Sequence, residues 1–357
     1  MFVSLVQNLV GKLGFEIRKK ARSDRGSWFA PLQPSVPEKG SDAKDRFREI
    51  LSDPLNLLIE RDPMAGVVLG GLVRLHTGVV VPNSGRGSYY GRFSEILIFN
   101  RGVHEPLEEF AFQEVVKVIG SAPIMLELGA YWGHYSMWLK KSRPNSDVYL
   151  VEPDPANLEA GIANFSRNGL KGTFINATVG EDHFEVDQFI KEKGLDKLDI
   201  LHADIQGAEV SMLKGCERTL GEGKITYCFI STHSQELHSQ VLNKLRLAGF
   251  RIEASADFDK ETTSCDGLVF AVHESAPVVL DDFQYLGREQ ISKSSPDAIL
   301  KTLDGYGKSR VRRPPASSFM GPVMANTQTT NPSESAYSPS RSRDGSTRPA
   351  PYAQTGL

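Results

Sequence analysis

Cysteine is scarce in this 357-residue chain: Cys216, Cys228 and Cys265 are the three, and they stand far apart. An odd number without paired spacing argues against a disulfide framework or a cysteine metal knuckle, and it points to a reducing, cytoplasmic compartment. No run approaches the ~18 consecutive apolar residues of a membrane-crossing helix. Excess basic charge is missing too, since 41 Lys and Arg face 44 Asp and Glu for a net charge of −3. That balance hides an asymmetry: residues 308–357 carry seven basic side chains against Glu334 and Asp344, so the tail is +5 and the rest −8. An acidic body offers no electrostatic case for nucleic acid as a partner. The Gly-x-Gly-x-x-Gly dinucleotide fingerprint is also absent, which argues against a nicotinamide-dependent oxidoreductase on a similar sheet.

Apolar residues make up 40% of the chain, ample for a buried core. Met1 to Phe15 shows a helical stripe of Phe2, Val6, Leu9 and Leu13, followed by Arg18, Lys19, Lys20, Arg22 and Arg25. A signal peptide puts its basic residues first, so secretion is not indicated. The segment reads as a helix packed on the body, with peripheral membrane contact as the alternative. Pro31, Pro34 and Pro37 make residues 21–43 a linker. Residues 44–120 read as a lead-in subdomain. It has a helix over Asp45 to Glu60, strand-like pieces over Val67 to Leu75 and Gly78 to Pro82, and a helix over Pro106 to Val118, with Glu105, Glu108 and Glu109 at its positive end. From 308 onward the chain is rich in Ser, Pro, Thr and Arg, and disorder is expected.

Residues 121–307 read as an α/β catalytic domain, a mostly parallel sheet with helices on both faces. Strands are expected over Ile124 to Leu128, Val148 to Val151, Thr173 to Asn176, Leu198 to Ala203, Thr226 to Ser231, Arg251 to Ala254 and Leu268 to His273. Helices are expected over Gly133 to Lys141, Asn157 to Asn168, Val186 to Lys193, Glu209 to Leu220 and Gln235 to Leu247. Only a polar segment separates the last two strands, which should therefore pair antiparallel.

The chemistry-bearing run is Leu126-Glu127-Leu128-Gly129-Ala130-Tyr131-Trp132-Gly133-His134, an apolar strand entering a glycine turn and a helix start. Its wider glycine spacing, with Glu127 below and Glu152 at the next strand end, suits an amino-acid moiety and a ribose diol, as in S-adenosylmethionine. Glu152 offers the two oxygens that a diol needs, and Asn176 ends the third strand. Tyr131 and Trp132 flank the cofactor or simply pack. His134 reads as a polar surface or capping residue. Asp204, at the end of the fourth strand beside Gly207, faces the crevice where open sheets bind ligands, or caps the next helix. Glu209 either joins the chemistry or adds charge to the first turn of that helix. His233 follows the fifth strand as a candidate base near neutral pH. No Asp/Asn pair forms a divalent-metal motif, so the chemistry is expected to be metal-independent.

Leu126-Glu127-Leu128-Gly129-Ala130, Val151-Glu152-Pro153-Asp154-Pro155 and Ala203-Asp204-Ile205-Gln206-Gly207-Ala208-Glu209, with Leu213-Lys214-Gly215 and Ser231-Thr232-His233-Ser234, together resemble the FkbM family of S-adenosylmethionine-dependent methyltransferases. The resemblance covers about residues 100–275, with Glu127 where many members have Asp. It implies the class I methyltransferase fold and transfer of a methyl group to a hydroxyl of a saccharide or other secondary metabolite. A non-catalytic binding protein is the remaining alternative, but it would be expected to have lost these carboxylates and glycines.

Overall fold

The computed structural model describes residues 43–311 apart from positions 90 and 182, so the expected N-terminal helix, the linker and the tail beyond 311 lie outside the described residues. Helix α1 (Ala43–Ser52) ends well before Glu60, because Pro54 has no N–H with which to continue the ladder. Asp53 instead caps a single 3-10 turn over Pro54–Leu57, accepting the Leu55 N–H at 2.8 Å. The run from Val67 to Leu75 is a hairpin: β1 (Val68–Leu69) and β2 (Leu72–Arg74) pair across Gly70 and Gly71, both at positive φ, and β3 (Val80–Pro82) pairs with β2. Short helix α2 (Ile96–Phe99) precedes α3 (Pro106–Val118), which has the expected bounds and places Pro106 where its missing N–H is not needed.

The main sheet and its helices follow as β4 (Ile124–Leu128), α4 (His134–Ser142), β5 (Asp147–Val151), α5 (Pro155–Arg167), β6 (Thr173–Ile175), α6 (Val186–Lys193), β7 (Leu198–Ala203), α7 (Glu209–Lys214), α8 (Glu217–Gly221), β8 (Ile225–Thr232), α9 (Gln235–Leu247), β9 (Phe250–Ala256) and β10 (Gly267–His273). The sheet order is β6-β5-β4-β7-β8-β10-β9, with β10 antiparallel to both neighbours and the other pairs parallel. This is the seven-stranded, mostly parallel methyltransferase-like architecture that the strand pattern predicts.

One expected helix, Glu209 to Leu220, is two. Gly215 gives its carbonyl to the Asp187 N–H at 2.9 Å, and the Asp187 carboxylate accepts the Arg218 and Thr219 N–H groups at 3.0 and 2.8 Å, which opens α8 afresh. Helices α10 (Arg288–Lys293) and α11 (Pro296–Val311) are not announced by the periodicity. The latter corrects the start of the expected tail, since 308–311 are helical.

Alternation along the strands builds two cores. Met125, Ile200, Phe229, Phe270 and Val272 face α3 and α4 and share one cluster with Ile50, Val73, Leu97, Phe110 and Phe112 of the lead-in segment. Leu126, Leu128, Leu201, Cys228, Ile230 and Val269 face the opposite way, onto Phe189, Met212, Leu213 and Val241 of α6, α7 and α9. Phe229 ties the first core together, 5.4 Å from the Phe112 ring and 4.6 Å from that of Phe270, and truncating so buried an aromatic costs about 3–5 kcal/mol. Among the described residues no helix is long and apolar enough to cross a membrane.

Candidate functional site

The carboxyl ends of β4, β5, β7 and β8 open on one crevice. Gly129 ends β4 at φ +72, and a Cβ there would lie 1.8 Å from the Asp204 carbonyl oxygen, so the turn closes only on glycine. Two non-glycine residues take positive φ in the facing turns, Tyr131 (44°) and Gln206 (52°), a conformation that clusters at functional sites. Gly133, also at positive φ, starts α4 against Phe165 and Leu150.

Glu152 is buried at the end of β5. Its Oε2 accepts the Tyr131 N–H at 2.9 Å and its Oε1 the Asp154 N–H at 3.0 Å, which fixes the carboxylate while leaving a second lone pair on Oε2. Asn176 lies just past β6 rather than within it, and its amide donates to the carbonyls of Glu152 and Pro153 at 2.8 and 3.0 Å. It therefore holds the backbone around Glu152. Glu127 sits beneath the turn at 2% exposure, accepts the Ser136 N–H at 3.1 Å, and is raised in pKa by burial. It anchors the first turn of α4 from inside the fold. A glycine-only turn and an oriented carboxylate fit the amino-acid and ribose parts of S-adenosylmethionine.

Across the crevice, His233 stands between carboxylates. Its Nδ1 is 2.5 Å from Glu209 Oε1, and its Nε2 is 3.1 Å from Asp204 Oδ1 and 3.6 Å from Asp266 Oδ1. Burial disfavours the imidazolium, but hydrogen bonds to Asp204 and Glu209 and the charge of Asp266 outweigh it, so the pKa is raised to about 10. This shift favours the imidazolium and argues against the expected base near neutral pH. Burial likewise opposes ionisation of Asp204, yet the hydrogen bond and charge of His233 keep it below the usual carboxylate value. Glu209 is wholly buried, also accepts the Gly207 N–H at 3.0 Å, and positions His233 from behind.

Sequence reasoning missed Asp266, which lies in the turn before β10, far from Asp204 in the chain. Burial raises its pKa to about 6, with His233 opposing. It lines a narrow pocket with Glu105, Glu108, Ser231, Thr262, Ser264 and Tyr285. Glu108, expected only to suit a helix terminus, meets His202 at 2.7 Å and the Ser231 hydroxyl at 3.2 Å. Glu105 accepts the Tyr135 hydroxyl at 2.9 Å, and burial followed by the charge of Glu108 raises its pKa well above the usual value. One further expectation is corrected: His134 is a buried residue at 4% exposure rather than a surface one, and Trp132, for which simple packing is one of the two readings, is buried and stacks 5.0 Å from it. Tyr131 remains half-buried beside the turn.

Residues 160–252, from α5 into β9, match the family model described as Methyltransferase FkbM domain. This stretch is similar to that methyltransferase domain. The match bears out the resemblance carried by the Asp204 to Glu209 and Ser231 to Ser234 segments, which the matched stretch contains. No curated protein matches the chain. Solved structures similar to it include an O-methyltransferase from Bacillus cereus in complex with SAH (14% identity, 48% of this chain and 82% of that one, TM-score 0.36). TrmK from M. capricolum in complex with S-adenosyl-homocysteine has 14% identity over 58% of this chain and 89% of its own, TM-score 0.34. The precorrin-6y C5,15-methyltransferase from Geobacter metallireducens has 11% identity over 46% and 86%, TM-score 0.35.

Proposed function

We propose that the chain is an S-adenosylmethionine-dependent O-methyltransferase acting on a hydroxyl of a saccharide or secondary metabolite. The observation that carries this reading is the Asp204–His233–Asp266 array beside the glycine turn and Glu152, on one rim of the sheet. Glu152 and the turn from Gly129 to Gly133 hold the cofactor, which supplies an electrophilic methyl group when bound. Asp204, kept ionised by His233, orients the acceptor hydroxyl. Asp266 takes its proton, since a base works best with a pKa close to the operating pH. Glu209 keeps the His233 ring in line. The pocket walls of Glu105, Glu108, Ser231, Thr262 and Ser264 present hydroxyls and carboxyl groups, which favours a hydroxyl-rich acceptor over an apolar one. Alignment contributes more than proton transfer in such a displacement, about 7–11 kcal/mol against a base's 10²–10⁴ in rate.

The test is calorimetric titration with S-adenosylmethionine, followed by labelled-methyl transfer to panels of polyols, saccharides, phenols and amines. Absence of binding sinks the cofactor assignment, and transfer confined to amines sinks the oxygen assignment.

A further inference from the structure

A second constellation lies away from the crevice, where the lead-in segment meets α3 and α4. His76 follows β2, His104 precedes α3, Glu109 is in the first turn of α3, and His134 opens α4; their side chains are 1%, 3%, 0% and 4% exposed. One ligand-type atom from each of His76, Glu109 and His134 lies within 4.8 Å of the other two. His104 Nδ1 approaches Glu109 Oε1 at 2.6 Å.

Four of these atoms have no hydrogen-bond partner: His76 Nε2, Glu109 Oε2 and both ring nitrogens of His134. The walls supply none, being rings: Trp138 is 4.6 Å from His76, Trp132 5.0 Å from His134 and Tyr89 4.6 Å from His104. Arg61, the neighbouring cation, directs its guanidinium to the carbonyls of Asn56 and Ile59. Buried polar atoms are normally paired, so four unpaired in one place call for an occupant.

The side chains are also braced as metal ligands are. The backbone N–H of His104 donates to Glu109 Oε1 at 3.0 Å, and Glu109 Oε2 lies 3.5 Å from His76 Nδ1, which is also held by the Gly102 carbonyl at 2.9 Å. His134 Nε2 is 3.6 Å from Glu109 Oε1, near the ~3.3 Å that separates two ligands on a tetrahedral zinc with bonds of about 2.0–2.1 Å. A cavity of about 330 Å³ reaches His76 from the side of Arg61, Asp62 and Thr77 and gives an ion access.

We propose that His76, Glu109 and His134 bind a divalent transition metal, zinc by its imidazole and carboxylate donors, with His104 as a further donor in contact with Glu109. The ion is structural. It ties the lead-in segment to α4, the helix that leaves the cofactor turn at Gly133.

Elemental analysis of the full chain, expressed with zinc in the medium, should find about one metal ion per chain. Content should fall below about a tenth in Glu109→Gln and His134→Ala and persist in Asp204→Asn, which alters the other cluster of suitable spacing, Asp204–His233–Asp266. Should the two cluster variants fail to fold, cobalt-loaded parent chain decides. Paramagnetically shifted imidazole N–H signals from two or more histidines support the site, because the crevice cluster holds one histidine. Metal-free protein that takes up no cobalt overturns the proposal, as does metal lost from Asp204→Asn but kept in Glu109→Gln, or a single shifted histidine.

Discussion

The backbone N–H of Tyr131 donates to Oε2 of Glu152 at 2.9 Å, so the turn after β4 and the carboxylate at the end of β5 hold each other in place. Removing that carboxylate should loosen the strained turn as well as delete the ribose acceptors. Glu152→Ala is expected to weaken S-adenosylmethionine binding at least about 10-fold, a charge-assisted bond to the free Oε2 lone pair being worth ~1.5–3 kcal/mol. Calorimetry checks this, and unchanged affinity would remove Glu152 from the cofactor site.

Asp266 is expected to be the group whose ionisation sets the acidic limb of activity. A base must be unprotonated, so the rate should rise with pH through about 6, the value that burial imposes on this carboxyl. Asp266→Asn should lower single-turnover methyl transfer by about 10²–10⁴ and abolish that limb, with cofactor affinity within a few fold. A variant that keeps both the rate and the pH limb would clear Asp266 of this role.

His233 should make stability pH-dependent at the alkaline end. Its pKa in the fold, about 10, lies above its ordinary value of 6.5. Its contribution is therefore fully present below about pH 6.5 and is lost as pH rises through about 10. The opposite sign holds for Asp204, whose lowered pKa gives a contribution that disappears in acid, as pH falls through its folded value. Urea denaturation of the parent and His233→Ala at about pH 6 and about pH 10 should show the gap between them closing at the higher pH. An equal gap at both would mean that the imidazole is not held charged.

A chain ending at Val311 should keep its fold and its cofactor affinity, because the buried residues of both cores and the crevice side chains all precede that point. Cutting further back should not be neutral. Ile299, Leu303 and Tyr306 of α11 are buried, and the Tyr306 hydroxyl donates to the Gln284 carbonyl. Thermal unfolding of chains ending at Val311 and at Ser295 distinguishes these cases, with a lower Tm for the shorter one.

Elements with a strong period were legible in the sequence: α3, α6, α9 and β7 have the bounds that their patterns predict, because amphipathic spacing and flanking breakers agree there. The placement of Gly129 and Glu152 was legible for a related reason, since both lie just past strand ends and local sequence says so. What was hidden depends on distance along the chain. Asp266 reaches His233 through the antiparallel pairing of β10 with β8, where Gly267 sits opposite Thr232. The charge of His233 belongs to that meeting of side chains and to no motif. His134 looked like a helix-start polar residue because nothing adjacent reveals that His76, His104 and Glu109 cover it.

The contact between Gly129 and the Asp204 carbonyl makes the donor turn and the acceptor-orienting strand end one mechanical body. Neither can shift without displacing the other, so under the proposed function the spacing between methyl donor and nucleophile would be fixed by backbone rather than by side chains. Divergence in what the enzyme accepts must then arise on the opposite walls, in the 256–266 turn and around Glu105 and Glu108, which can vary while the reaction distance stays constant.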